Sequence, residues 1–352
     1  MKPAVDLVVA VHDTSRPIER AVASVRGGPV RTTVVCHGIG AEGIERRLAD
    51  AGLLGDDVRV VELADGVPSP AGPFNHGLDL ATADLVGVMG SDDFLEPGAL
   101  AAWSRLADRG AAVVLGRLRH QSGEAVHAPL VRPWRRSNLD MVRDRLAYRT
   151  APLGLLRRRV LEDGGLRFTP GLRSGEDLAL SARLWTSGHR VDLASRAPAY
   201  VIGADASSRT STTAMPLEIE LAPVRDLRGR PWLAEVAEEQ RTALTVKILR
   251  VHLLAAALRR PEPASWGPGE REHLARETVG WLALAPHAPD PLARADRDLL
   301  DVVVGAHDDH DLADGAARRR AAGRRDEILT RGLRHVLDRE STLRRYLTYR
   351  LR

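Results

Sequence analysis

"VGVMGSDDFLEPGAL" (residues 86–100) sets two adjacent carboxylates, Asp92 and Asp93, directly after an apolar run. A run of Val, Met and Gly without polar alternation reads as a strand buried on both faces, which belongs in a parallel sheet covered by helices on each side. Like charges at the tip of such a strand repel each other unless something neutralises them. Two explanations are open. The acids cap and charge the helix that Pro97 opens, or they hold a divalent cation that in turn binds phosphate oxygens.

Outward from this stretch, similar runs recur at 5–11 (VDLVVAV), 31–36 (RTTVVC), 58–63 (VRVVEL), 84–89 (DLVGVM) and 111–116 (AAVVLG), separated by helical patterns. Ser15 before Pro17 reads as one helix start, and Pro97 ahead of "GALAAWSRL" as another. The alternation predicts an α/β domain with a mainly parallel, Rossmann-like sheet flanked by helices, its ligands lying beyond the carboxyl ends of the strands. Asp92 and Asp93 fall at one of those ends. At "DASSRTSTTAM" (205–215) the composition becomes that of a loop. Beyond it, amphipathic helical patterns at 241–260, at 270–284 and from about 317 replace the strand signals. The expected organisation is an α/β domain over 1–214, with a donor half at 1–116 and an acceptor half at 117–214, then an all-helical region over 215–352.

The 352 residues are 44% hydrophobic and 28% charged, an ordinary globular balance. Lys2 and Lys247 are the only lysines, so arginine carries the basicity. A net charge of +4 gives no electrostatic case for a nucleic-acid partner and is compatible with anionic substrates. One cysteine, Cys36, excludes an intrachain disulfide and suits a reducing compartment. The first apolar run is short and broken by Asp6, which reads as a strand rather than a signal peptide. No stretch approaches the roughly 20 apolar residues of a membrane span. The expectation is a cytoplasmic protein, at most peripheral to the inner face of the membrane. There is no internal repeat and no Cys/His cluster with metal-ligand spacing.

Around the acidic doublet lie "PFNHGLDLATADLVGVMGSDDFLEPGAL" (73–100) and "APLGLLRRRVLEDGGLRFTPGLRSGEDLALSARLWTSGHRV" (151–191). In order they carry Asn75 and Gly77, Ala81, Asp92 and Asp93, Gly154 with Arg157 and Arg158, Gly164, Gly165 and Phe168, Glu176 and Asp177, and Gly188. Over residues 4–205 this ordered set resembles the inverting family-2 glycosyltransferases of the GT-A fold, of the bacterial cell-surface polymer type.

The resemblance implies a nucleotide-sugar donor and a divalent cation, Mn2+ or Mg2+, with Asp92 as direct metal ligand and Asp93 second. It implies Asp177 as the base that deprotonates the acceptor. Donor contacts fall on Val11, His12 and Asp13 after the first strand, His37 after the second, then Asp65, Asn75, Ser91 and Asp92, with Arg209 from the polar stretch. Acceptor contacts fall on Glu176, Gly154 and Arg173. Three departures are visible. Cys36 and His37 stand where many members carry an aspartate that reads a uracil edge, so the base is left open. Gly90 replaces an additional acid ahead of the doublet. After "APAYV" (197–201), where many members carry a histidine that completes the metal shell, this chain has Asp205 and the run Ser207, Ser208, Arg209 instead, so Asp205 is the candidate third oxygen ligand, or the serines and arginine clamp the diphosphate, or the stretch is a solvated linker.

Plainer readings stand beside these. Glu176 and Asp177 also suit a helix first turn, and lone histidines such as His37 and His76 often serve structural hydrogen bonds. The arginines at 132, 135, 136, 143 and 145 offer planar forks to an anionic, phosphate-bearing acceptor, or are solvated surface. Ile328, Leu329, Leu333, Val336, Leu337, Leu343 and Leu347 recur at helical spacing, suited to packing on the core or on a second subunit of a homo-oligomer. With Arg324, Arg325, Arg344, Arg345 and Arg350 they also suit a membrane surface.

The sequence is thus read as a metal-dependent inverting glycosyltransferase acting on a hydroxyl of a cell-surface glycan or teichoic-acid-like polyol-phosphate polymer. One rival is a nucleotidyltransferase on a related sheet, but no glycine-rich phosphate loop with a lysine is visible near the N-terminus. The other is a catalytically silent binding module of the same fold, against which the intact Asp92, Asp93 and Asp177 set argues.

Overall fold

A computed structural model describes residues 4–204 and 215–351. The chain divides into two units: Met1–Ala128, Arg136–Leu139 and Thr150–Thr213 form the first, and Pro129–Arg135, Asp140–Arg149 and Ala214–Arg352 the second. Two segments of the stretch expected to form the acceptor half, 129–135 and 140–149, therefore belong with the helical unit.

In the first unit the apolar runs become β1 (Val5–Val11), β2 (Val30–His37), β3 (Val58–Leu63) and β4 (Leu85–Gly90). Then come β5 (Phe94–Leu95), β6 (Val113–Gly116), β7 (Leu118–His120), β8 (Ala125–Val126), β9 (Gly154–Arg157), β10 (Val191–Ala194) and β11 (Tyr200–Ile202). Helices α1 (Ile18–Ala23), α2 (Ala41–Asp50), α3 (Ala71–Asp79), α4 (Ala99–Asp108), α5 (Arg158–Asp163) and α6 (Leu178–Thr186) alternate with them. The main sheet has the order β10-β6-β9-β4-β1-β2-β3, parallel except for β9, which runs antiparallel to both β4 and β6. Val8, Val9, Val11, Val34 and Met89 are completely buried, and each contributes about 1.5–3 kcal/mol by leaving water.

Asp6 interrupts this apolar strand for a reason. Its buried carboxylate accepts a bidentate pair from Arg31 of β2 (2.7 and 2.8 Å) and the backbone N–H groups of Thr82 (2.6 Å) and Ala83 (2.8 Å). It thereby ties β2 to the turn that enters β4. Burial acts against its charge, but the Arg31 and backbone donors hold its pKa below the usual carboxylate value.

A second sheet, β5-β11-β7-β8, has no counterpart in the sequence reading. Antiparallel pairing of β11 with β5 brings residues 200–203 beside the acidic doublet. Both proposed helix starts also differ from expectation. Ser15 donates its N–H to Asp13 Oδ1 at 2.8 Å and α1 begins three residues later, capped by no side chain. Likewise α4 starts at Ala99 behind a left-handed Gly98, again without a side-chain cap.

The second unit is helical, built on Glu238–Ile248, Glu270–Leu284, Arg294–Gly305 and Asp309–Arg320 around Leu249, Leu253, Leu274, Trp281, Leu299 and Leu312. A turn of π-helix at Leu249–Leu253 interrupts the predicted 241–260 helix. The arginine-rich tail breaks into short pieces at Arg324–Ile328 and Thr342–Arg350. Gly323 precedes the first piece, and the Ser341 side chain caps the second by accepting from Arg344 N–H. Among the described residues no helix is long and apolar enough to cross a membrane.

Candidate active site

The carboxyl ends of the adjacent parallel strands β4, β1 and β2 open onto a cleft of about 1030 Å³ within the first unit. Val11 and His12 leave β1 into it, His37 and Gly38 leave β2, and Gly90, Ser91, Asp92 and Asp93 leave β4. The loop 66–70, Pro73 and Phe74 line one part, and Arg173, Ser174, Gly175, Glu176 and Asp177 another.

Neither acid of the doublet caps a helix. Arg16 Nη1 pairs with Asp92 Oδ2 at 2.8 Å, and Arg20 donates to the Asp92 carbonyl at 2.6 Å while lying 4.7 Å above the Phe94 ring. Asp93 is oriented from the second sheet: Tyr200 Oη donates to its Oδ2 at 2.5 Å, and Gly203 N–H to its Oδ1 at 2.9 Å. Gly90 N–H in turn donates to Tyr200 Oη at 3.3 Å. Burial, then the Asp93 charge, push the Tyr200 phenol well above its ordinary range, so it remains the donor. Close approach requires glycine at 203, where a Cβ would lie 1.8 Å from the Asp92 carbonyl oxygen.

Asp177 is the residue preceding α6, and its side chain makes no capping hydrogen bond. Its neighbour Glu176 is pushed up to about 7, by burial first and then by the Asp177 charge. His12 is held below the usual imidazole range by the surrounding protein and by the Arg16 cation.

Of the residues singled out in the sequence, the cleft gathers Val11, His12, His37, Ser91, Asp92, Asp93, Arg173, Glu176 and Asp177. Asp65 stands behind His37, its Oδ1 2.8 Å from Nε2, and also accepts Val67 N–H at 2.9 Å. These contacts hold Asp65 below the normal carboxylate range, with His37 the larger cause. Asp13 spends an oxygen on the Ser15 turn. Asn75 clamps the Phe168 backbone through both ends of its amide, at 2.9 and 3.0 Å. Gly154 is a sheet residue at φ +149°, where a Cβ would lie 1.9 Å from the Val114 carbonyl oxygen. None of these last three lines the cleft. Asp205, Ser207, Ser208 and Arg209 lie outside the described residues. Sequence reasoning missed Arg16, Arg20, Tyr200 and Gly203. Only Tyr200 carried a signal, since a tyrosine in an apolar strand needs a partner for its hydroxyl.

Two carboxylates at one strand end, one of them oriented by a buried phenol, suit a hard cation that takes one or two protein oxygens and completes its shell with substrate phosphate and water. An all-protein metal cage is not present: among the described residues no three His, Cys, Asp or Glu groups come together to hold an ion.

The mainly parallel sheet with its flanking helices is that of the GT-A fold. Residues 7–165 match the model of Glycosyl transferase family 2. It is 29% identical over 201 residues to the succinoglycan biosynthesis protein ExoU of Rhizobium meliloti, covering 52% of this chain and 57% of that protein. It is 18% identical over 198 residues to the poly(ribitol-phosphate) beta-glucosyltransferase of Bacillus spizizenii, covering 56% of this chain and 31% of that protein. The chain thus spans a little over half the length of the first relative and under a third of the second. Among solved structures, S. aureus TarS 1-349 in complex with UDP-GlcNAc shares the fold at a TM-score of 0.74 and 17% identity, covering 90% of this chain and 91% of that one.

Proposed function

We propose that the chain is an inverting glycosyltransferase that moves a sugar from a nucleotide-diphosphate donor to a hydroxyl of a cell-surface polysaccharide or polyol-phosphate polymer, in the cytoplasm at the inner face of the membrane. The observation that carries this reading is the convergence of Asp92, Asp93 and Asp177 on one cleft large enough for a nucleotide sugar. The donor class is supported by the UDP-GlcNAc bound to the structural neighbour. The acceptor class is supported by the relatives named for succinoglycan and poly(ribitol-phosphate).

Asp92 and Asp93 would hold Mn2+ or Mg2+, which when bound neutralises the charge growing on the departing diphosphate. Arg16 adds a fixed positive charge beside the same oxygens. The acceptor oxygen attacks the anomeric carbon on the face opposite the leaving group. As that bond forms, the bond to the diphosphate breaks, its electron pair leaves with the phosphate, and the acceptor proton passes to the Asp177 carboxylate. Glu176, neutral over much of the range below pH 7, spares Asp177 a second adjacent negative charge. Arg173 stands in the same cleft wall for the acceptor, and His37, oriented by Asp65, stands at the end of β2 for the donor.

The test is a thermal-shift screen of nucleotide sugars with and without Mn2+, followed by turnover with the donor that binds. Asp177→Asn is expected to lower transfer by about 10²–10⁴-fold while donor affinity stays within error of the wild type. Turnover preserved in that variant rejects the base assignment. Donor binding indifferent to chelation of divalent cations rejects the metal assignment.

A further inference from the structure

Trp134 is the most exposed large apolar side chain among the described residues, at 89%. It is not on a loose loop. Its backbone is left-handed at φ +61°, and Arg135 N–H closes the turn onto the Arg132 carbonyl at 3.1 Å. Arg132 is itself fastened to the buried Asp144 by two side-chain bonds, at 2.8 and 2.7 Å, and by its N–H at 3.0 Å. The turn therefore holds an indole out in water and leaves the free energy of burying it unrealised within the unit.

The same unit exposes a second apolar group. Leu333, Leu337, Tyr346, Leu347, Tyr349 and Leu351 are all exposed within residues 333–351, Leu351 at 71% and Leu333 at 68%. In helix Thr342–Arg350 the inner side is occupied: Arg345 lies 4.0 Å over the Tyr148 ring and Arg344 donates to the Leu337 carbonyl at 3.0 Å. Tyr346 and Leu347 are left outward.

Cations join the two groups. Arg339 donates to the Arg143 carbonyl at 3.3 Å, and Arg145 to the Arg339 carbonyl at 2.6 Å, which fastens the 140–149 segment to the 333–351 segment. Burial first, and then the nearby cations Arg344, Arg132 and Arg143, disfavour the charge on Arg339, with Glu239 acting the other way. Arg339 and Arg344 each donate to a backbone carbonyl, which carries no formal charge to neutralise theirs. A rigid exposed tryptophan, exposed leucines and tyrosines, and crowded arginines match the composition of a surface that enters an anionic headgroup layer, where aromatic rings and basic side chains each find their partner.

We propose that this face of the second unit docks on an anionic lipid bilayer, with Trp134 and Leu347 entering the headgroup boundary and Arg143, Arg339 and Arg344 facing lipid phosphates. The docking is independent of the glycosyl-transfer reading, since none of these residues lines the cleft. The full chain is tested by flotation with vesicles of phosphatidylcholine alone and with 30 mol% phosphatidylglycerol. Binding is expected only to the anionic vesicles and is expected to fall with salt. Trp134→Ser should weaken it about tenfold, and Arg143→Glu with Arg350→Glu, the latter exposed at the end of helix Thr342–Arg350 beside the same leucines and tyrosines, about tenfold or more, both with unchanged thermal melting. Lipids brominated in the upper acyl chain should quench indole emission of the wild type and not of Trp134→Ser. Equal binding to neutral vesicles, or none to either, overturns the proposal. So does a concentration-dependent dimer abolished by Trp134→Ser, which assigns the face to a second copy. Arginine-dependent binding of soluble poly(glycerol phosphate) without vesicle binding overturns it in favour of a polymer.

Discussion

Glu176 and Asp177 are adjacent in the chain, and both were readable as either helix-start acids or chemistry. The fold separates them. Burial and the Asp177 charge push Glu176 up to about 7, above an ordinary glutamic acid at 4.5. A carboxyl whose folded pKa is raised binds its proton more tightly when folded, so its contribution to stability is present at low pH and is lost as pH rises from about 4.5 to 7. Glu176→Gln removes the penalty of a buried charge. It is expected to raise the melting temperature at pH 8 and leave it nearly unchanged at pH 5, as read by thermal denaturation at the two pH values. Equal shifts at both would show that ionisation is not the cause. Asp92 and Asp93 were legible because two acids after an apolar run are conspicuous. Their partners were not: Arg16 and Arg20 precede them by more than seventy residues and Tyr200 follows by more than a hundred. No local pattern encodes a contact at that separation.

At the scale of elements, β1 to β4 were predictable because strands covered on both faces are apolar without interruption. The exception in β1 is the informative residue. Asp6 accepts from Arg31, Thr82 and Ala83, and these donors hold its carboxyl low. A depressed carboxylate stabilises the fold above its unfolded pKa near 3.8 and loses that contribution as pH falls through the lower folded value. Asp6→Ala, which leaves a guanidinium and two backbone N–H groups without their acceptor, should cost about 3 kcal/mol. Urea unfolding at pH 7 measures it, and a loss below about 0.5 kcal/mol would mean the pair is surface-like. The second sheet was illegible because β5, β7, β8 and β11 are only two or three residues long. Periodicity needs more residues than that to register, and such strands exist only by pairing with one another. Gly154 shows the converse. The motif position was found, but its backbone conformation and the approach of Val114 make it a sheet residue.

Across the whole molecule, the chain is not cut at one linker. Residues 140–149 leave the first unit to join residues near 250 and 340. Tyr148 Oη donates to Glu340 at 3.2 Å and accepts from Arg250 at 3.2 Å, with the buried Arg145 3.7 Å from the same carboxylate. Glu340→Ala strands two buried guanidinium groups and should destabilise the second unit by about 3–5 kcal/mol. Hydrogen exchange within 238–350 would show the loss, while protection of β1 to β4 stays near the wild-type level. Protection lost equally in the β1 to β4 strands would refute a local role. By itself the sequence determined the α/β class and the positions of the principal strands, and it singled out Asp92 and Asp93 as acids at a strand end, because burial periodicity and charge at strand ends are local properties of the chain; Asp177 was singled out by resemblance. Tertiary structure alone decided that these acids share a cleft, that Tyr200 and Arg16 hold the doublet, and that Trp134 stands in solvent. Those facts depend on which distant segments pair, and pairing is set by the packing energy of the whole fold rather than by any window of residues.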